Sequence, residues 1–119
     1  MTDAAPTTPV PDSPTGLLTV LTTTDSPAAA ETLARGAVDG RLAACAQIGG
    51  PVTSVYRWEG AVTTEREWQV LLKTTRARYP ALEAWLLTEH PYDVPEIIAT
   101  PVVAAGALYA AWVAEETTP

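Results

Sequence analysis

The run VTSVYRWEG at 52–60, continued by AVTTEREWQVLLKTT at 61–75, decides the fold. Glu59-Gly60 sits between two apolar, β-branched stretches, and glycine supplies the positive φ that a tight hairpin turn requires. Beyond the turn, Trp68, Val70 and Leu72 alternate with Gln69, Leu71 and Lys73, the period of a strand with two different faces. Before the turn, Leu42 to Trp58 reads as the partner strand. Gly49-Gly50-Pro51 interrupts it and predicts a bulge or kink, because such a triplet does not run undisturbed through a central strand. The product is one long hairpin.

Working outward, GLLTVLTTT at 16–24 is a further strand, closed by Asp25-Ser26-Pro27. Ser26 offers an N-cap hydroxyl and Pro27 suits the first helical position. Ala30, Leu33, Ala34, Ala37 and Val38 then form one stripe of a helix, with Glu31, Arg35 and Asp39 opposite, and Gly40 ends it. After the hairpin, a second helix starts near Pro80, shows Leu82, Trp85, Leu86 and Glu89 on one face, and stops at His90-Pro91. Glu96 to Val103 reads as an edge strand ending near Pro101. Ala104 to Ala114 reads as a short C-terminal helix carrying Leu108, Tyr109, Trp112 and Val113.

The order is βαββαβ plus a terminal helix, which predicts an α+β, ferredoxin-like sandwich: an antiparallel sheet with two helices on one face. Residues 16–114 form the expected domain. Residues 1–15, rich in Pro, Thr, Ser and Asp, read as a disordered tail, and 115–119 as a frayed end. The hairpin residues Val52, Tyr56, Trp58, Trp68 and Val70 are too apolar to stand in water. Open apolar edges invite association, so self-assembly is expected, although the pattern alone does not fix the number of subunits.

Composition narrows the function. With 14 acidic and 7 basic residues the net charge is −7, and no basic stripe exists to displace counterions from a nucleic acid. No apolar run approaches the ~18 residues of a membrane span. Met1 to Thr15 lacks the basic start and apolar core of a signal peptide. One cysteine, Cys45, allows no internal disulfide, which suits a reducing compartment. A cytoplasmic protein without nucleic-acid or membrane partners is expected.

Four segments, RLAACAQ (41–47), VTSVYRWEG (52–60), LLKTT (71–75) and HPYDVPEIIA (90–99), resemble the CutA divalent-cation tolerance family in order and separation, and the likeness runs over about 17–113. The resemblance implies a ferredoxin-like homotrimer with strands pairing between subunits, a connection with tolerance of divalent metals, and copper binding in some members. It also implies similarity to the PII signalling trimers, which take small ligands in clefts between subunits. No established reaction comes with it. Two positions depart from the family pattern: Gln47 stands where Asn is usual and Asp93 where Glu is usual.

The residues able to carry chemistry each have a plainer reading. Cys45, between Ala44 and Ala46, is a soft ligand for copper or a small buried hydrophobe. His90 is the single histidine: a metal ligand, a proton switch, or a cationic cap on the helix end. Asp93 and Glu96 lie in the same Pro-bounded turn and complete an oxygen–nitrogen set with His90. One His and one Cys do not fill four metal positions, so a strong site is mixed or shared between subunits. Lys73 pairs with an anionic ligand or with Glu96. Tyr92, held between Pro91 and Pro95, and Trp58, at the hairpin end, are ligand contacts or packing groups. No phosphate loop, nucleophile elbow or zinc-protease motif is present, and an enzyme is not expected.

Overall fold

The computed structural model describes residues 6–119. The elements are β1 (Leu17–Thr24), α1 (Pro27–Asp39), β2 (Cys45–Trp58), β3 (Ala61–Thr75), α2 (Tyr79–Glu89), β4 (Ile98–Pro101) and α3 (Ala107–Glu116). The sheet is antiparallel in the order β2-β3-β1-β4. This is the expected α+β arrangement.

Local chemistry explains the boundaries. The Ser26 hydroxyl accepts the Ala29 N–H at 3.1 Å and Pro27 opens α1. Ala30, Leu33, Ala34 and Ala37 face the core. Val38, expected on the same stripe, is turned outward and half exposed. Gly36 lies where a Cβ would stand 2.6 Å from the Trp85 ring, so its missing side chain sets how closely α1 approaches α2. Tyr79, Leu82 and Leu86 complete the layer from α2, beneath Leu18, Val20, Val70 and Leu72 of the sheet.

At the hairpin tip both Glu59 (φ 50°) and Gly60 (φ 80°) are left-handed, so the turn takes two positive φ angles rather than one. Its residues 52–58 and 61–67 pair beyond the point where β1 ends, at Thr24 opposite Trp68. Seven residue pairs at about 3.4 Å per residue make an arm of roughly 24 Å without a third strand. Val55, Trp58 and Val62 on it are each more than half exposed.

The predicted bulge is present. The ladder shifts by one residue between Gly49 and Val52, with Gly50 at φ 123° and its Cβ position 3.0 Å from the Glu67 carbonyl oxygen. An unbroken ladder from the Trp58–Ala61 pair would set Cys45 opposite Thr74. The extra residue sets it opposite Lys73 instead. Since side chains alternate faces, one residue of slippage moves Cys45 from the helix face to the opposite face.

That opposite face is partly covered, not bare as the two-helix picture implied. Val113 of α3 packs with Leu17 and Ala44 there, joined by Val102 and Ala110. The strand read over 96–103 is shorter, at Ile98–Pro101, and α3 starts at Ala107 rather than Ala104. At the C-terminus α3 runs to Glu116, and Thr117 is buried, its hydroxyl donating to the Val113 carbonyl at 2.8 Å. Of the segment read as an N-terminal tail, residues 1–5 lie outside the described residues. Within 6–15, Val10 packs against the main core and the Arg76 guanidinium donates to the Pro11 carbonyl at 2.6 Å.

Candidate functional site

The structure sorts the seven candidate residues into two groups and an outlier. The first group forms where β2, β3 and α3 meet. Lys73 Nζ donates to Gln47 Oε1 at 2.6 Å and lies 3.7 Å from Cys45 Sγ. Cys45 Sγ is 3.5 Å from Tyr109 Oη, whose ring stacks on Trp112 at 5.6 Å. Hydrogen bonding to Cys45, then burial, raises the Tyr109 pKa above its ordinary value, keeping the phenol protonated. Lys73 does not pair with Glu96: its partners are the uncharged Gln47 amide and the Cys45 sulfur, because the register places these two beside it on one face. Among the described residues its ammonium forms no ion pair.

The second group staples the loop after α2 to the sheet. His90 is buried, with Nε2 2.8 Å from the Thr23 carbonyl and Nδ1 accepting the Tyr92 N–H at 3.0 Å. A carbonyl only accepts, so Nε2 carries the proton and the ring is the neutral tautomer. Burial pushes the His90 pKa below the usual histidine range, against a smaller opposing pull from the Thr23 hydrogen bond, Asp25 and Glu67. The expected cationic cap on the helix is therefore corrected: the His90 backbone N–H caps α2 through the Leu86 carbonyl, while the side chain is a neutral tie to β1. Both ring nitrogens are engaged, which leaves no free lone pair for a metal in this arrangement. Tyr92 donates from Oη to Glu67 Oε2 at 2.9 Å, and burial followed by that bond raises its pKa.

Asp93 and Glu96 are exposed on the same loop, and neither makes a side-chain hydrogen bond or ion pair among the described residues. No three His, Cys, Asp or Glu side chains gather as a metal set among the described residues. Trp58 stands apart at the end of the arm, 56 % exposed. Sequence reasoning missed Tyr109, Gln47 and Glu67 as neighbours of the candidates. The hairpin turn and the bulge together would have placed Gln47 and Cys45 beside Lys73, since they fix the register; nothing in the sequence aims Tyr109 at Cys45.

With this geometry in hand, known proteins supply the context. The family model described as CutA1 divalent ion tolerance protein matches residues 18–116. The chain belongs to that family. It is 42 % identical over 98 residues to the divalent-cation tolerance protein CutA of Thermus thermophilus, covering 82 % of this chain and 95 % of that one. A solved structure of the Thermus thermophilus protein superposes with a TM-score of 0.83 at 40 % identity, over 86 % of this chain and 99 % of that one. A second structure, described as the periplasmic divalent cation tolerance protein CutA of Archaeoglobus fulgidus, gives 0.83 at 25 % identity over 86 % and 99 %. The family relation thus spans the sheet, α1, α2 and α3. No helix among the described residues is long and apolar enough to cross a membrane.

Proposed function

We propose that this chain serves the tolerance of divalent cations, copper among them, as a homotrimer and not as an enzyme. The family match over residues 18–116 carries the reading. The exposed arm supports the trimer: Val55, Trp58 and Val62 gain shelter when sister subunits cover them. In this reading a tight metal site is shared between subunits, with Cys45 as the soft donor and Asp93 and Glu96 of a sister chain as oxygen donors. His90 shapes the loop that presents those carboxylates. The single cysteine, which allows no internal disulfide, favours action in a reducing cytoplasm.

Calorimetric titration with copper in a weakly coordinating buffer tests the metal assignment. The expected result is stoichiometric uptake, weakened about tenfold or more in Cys45→Ser and in the Asp93→Asn/Glu96→Gln pair. Identical isotherms for the parent and both variants would remove these ligands from the account.

One observation favours a second reading. The Lys73 ammonium is matched by no carboxylate among the described residues, so it suits a small anionic ligand in a cleft between subunits, with Tyr92 and Trp58 as further contacts. A ligand bound to the native state raises the thermal midpoint in a concentration-dependent way. A flat response to a panel of nucleotides and metabolic anions would eliminate this reading.

A further inference from the structure

The segment before β1 lies outside the residues matched by the family model, yet it is tied to α2, to the turn between β3 and α2, and to the link between β4 and α3. At its outer end Thr8 donates to Glu83 Oε1 of α2 at 2.9 Å, and Glu83 Oε2 accepts from the Tyr79 hydroxyl. In its middle, Val10 packs against the core, and Arg76 reaches the Pro11 carbonyl at 2.6 Å and the Asp12 carboxylate at 3.6 Å. At its inner end a turn closes, with the Gly16 N–H donating to the Ser13 carbonyl. This aims two hydroxyls at the link between β4 and α3. Thr15 Oγ1 donates to the Val102 carbonyl at 2.6 Å and accepts the Leu17 N–H at 3.2 Å. Ser13 Oγ donates to the Leu17 carbonyl at 2.7 Å, with the Val102 carbonyl 3.3 Å away.

We propose that Thr8–Thr15 is a clasp that holds α3 in place through Val102, and so keeps Tyr109 over Cys45 and Lys73. The chain of contact is continuous. Val102 packs in the small cluster with Leu17, Ala44 and Val113, and Val113 lies one helical turn from Tyr109 on α3. The other anchors of α3 lie at its far end, where Arg41 reaches the Glu116 carboxylate at 3.7 Å and Thr117 is buried, whereas its entry is lightly held. Its N-cap, Gly106, supplies no side-chain hydrogen bond, Val113 is its one fully buried residue, and Leu108 is 89 % exposed. A helix entry bound so lightly opens locally at low cost, and an external tie there shifts that opening directly. Arg76 is the latch at the far end. Without its guanidinium the middle of the segment loses both carbonyl and carboxylate contacts.

Amide hydrogen exchange read by mass spectrometry tests the clasp on the intact assembly. Three chains are compared with the parent: Thr15→Val, which removes the donor to Val102; Thr15→Ser, which keeps it; and Arg76→Gln, which releases the latch. The expected result is exchange roughly fivefold to tenfold faster in residues 107–116 for Thr15→Val, unchanged rates in the β2–β3 arm, and parent-like rates for Thr15→Ser. Arg76→Gln should accelerate residues 8–15 and, more weakly, α3. Unchanged α3 exchange in Thr15→Val, or a uniform acceleration of the whole chain, would overturn the proposal. Faster alkylation of Cys45 in Thr15→Val than in Thr15→Ser is expected as a second readout; equal rates in the two would contradict the placement of Tyr109.

Discussion

At the scale of single residues, His90 shows how burial converts an ionisable group into a structural one. Its neutral ring joins β1 to the loop after α2 by donating at one nitrogen and accepting at the other. Because its folded pKa lies below its unfolded value, the unfolded chain takes up the proton first on acidification. Stability from this group is present above the unfolded value of about 6.5 and is lost as pH falls from there towards the folded value. Urea unfolding at pH 7.5 and 5.5 should therefore give a lower midpoint at the acidic pH, and His90→Gln should narrow that difference. A parent protein equally stable at both pH values would refute the assignment. Tyr92→Phe removes the hydroxyl that Glu67 accepts, and should cost about 1 kcal/mol in the same assay. Of these residues, the sequence made His90 and Tyr92 visible as unusual. Their partners were hidden, because Thr23 and Glu67 lie 67 and 25 residues away along the chain.

At the scale of elements, the bulge governs the site. One extra residue at Gly49–Val52 decides that Cys45 and Gln47 share a face with Lys73. Gly50→Ala places a Cβ at φ 123° and 3.0 Å from the Glu67 carbonyl oxygen, so it should destabilise the chain by about 1–3 kcal/mol in denaturant unfolding. An Ala tolerated without cost would show that the bulge relaxes freely. Strands and helices were legible from the sequence because apolar periodicity is local: the Glu59-Gly60 turn, the Ser26-Pro27 start of α1 and the Pro91 stop of α2 all stand where their chemistry puts them. The placement of α3 was not legible. An Ala-rich helix with Leu108, Tyr109 and Trp112 carries no signal for which face of the sheet it covers, and only Val113 ends up fully buried. The contacts of segment 8–15 were likewise not legible, since hydroxyl and carbonyl ties to Arg76, Glu83 and Val102 leave no hydrophobic trace.

At the scale of the whole molecule, the single chain leaves apolar side chains exposed on an arm and around α3. The Cα radius of gyration is 15.1 Å, against about 13.5 Å for a compact chain of this length. The difference fits the hairpin reaching past β1. Along that arm and around α3, Val55, Trp58, Val62, Leu108 and Trp112 remain exposed. Desolvating a large side chain contributes about 1.5–3 kcal/mol, so covering several of them in each subunit offsets the entropic cost of association. Replacing Trp58 and Val62 together with Ser should weaken assembly without unfolding the domain, visible as concentration-dependent dissociation.

The most direct test is the mass in solution, measured by sedimentation equilibrium at micromolar chain concentration. A species of three times the 12.6 kDa chain mass, stable on dilution, is expected. A homogeneous 12.6 kDa particle under the same conditions would contradict it.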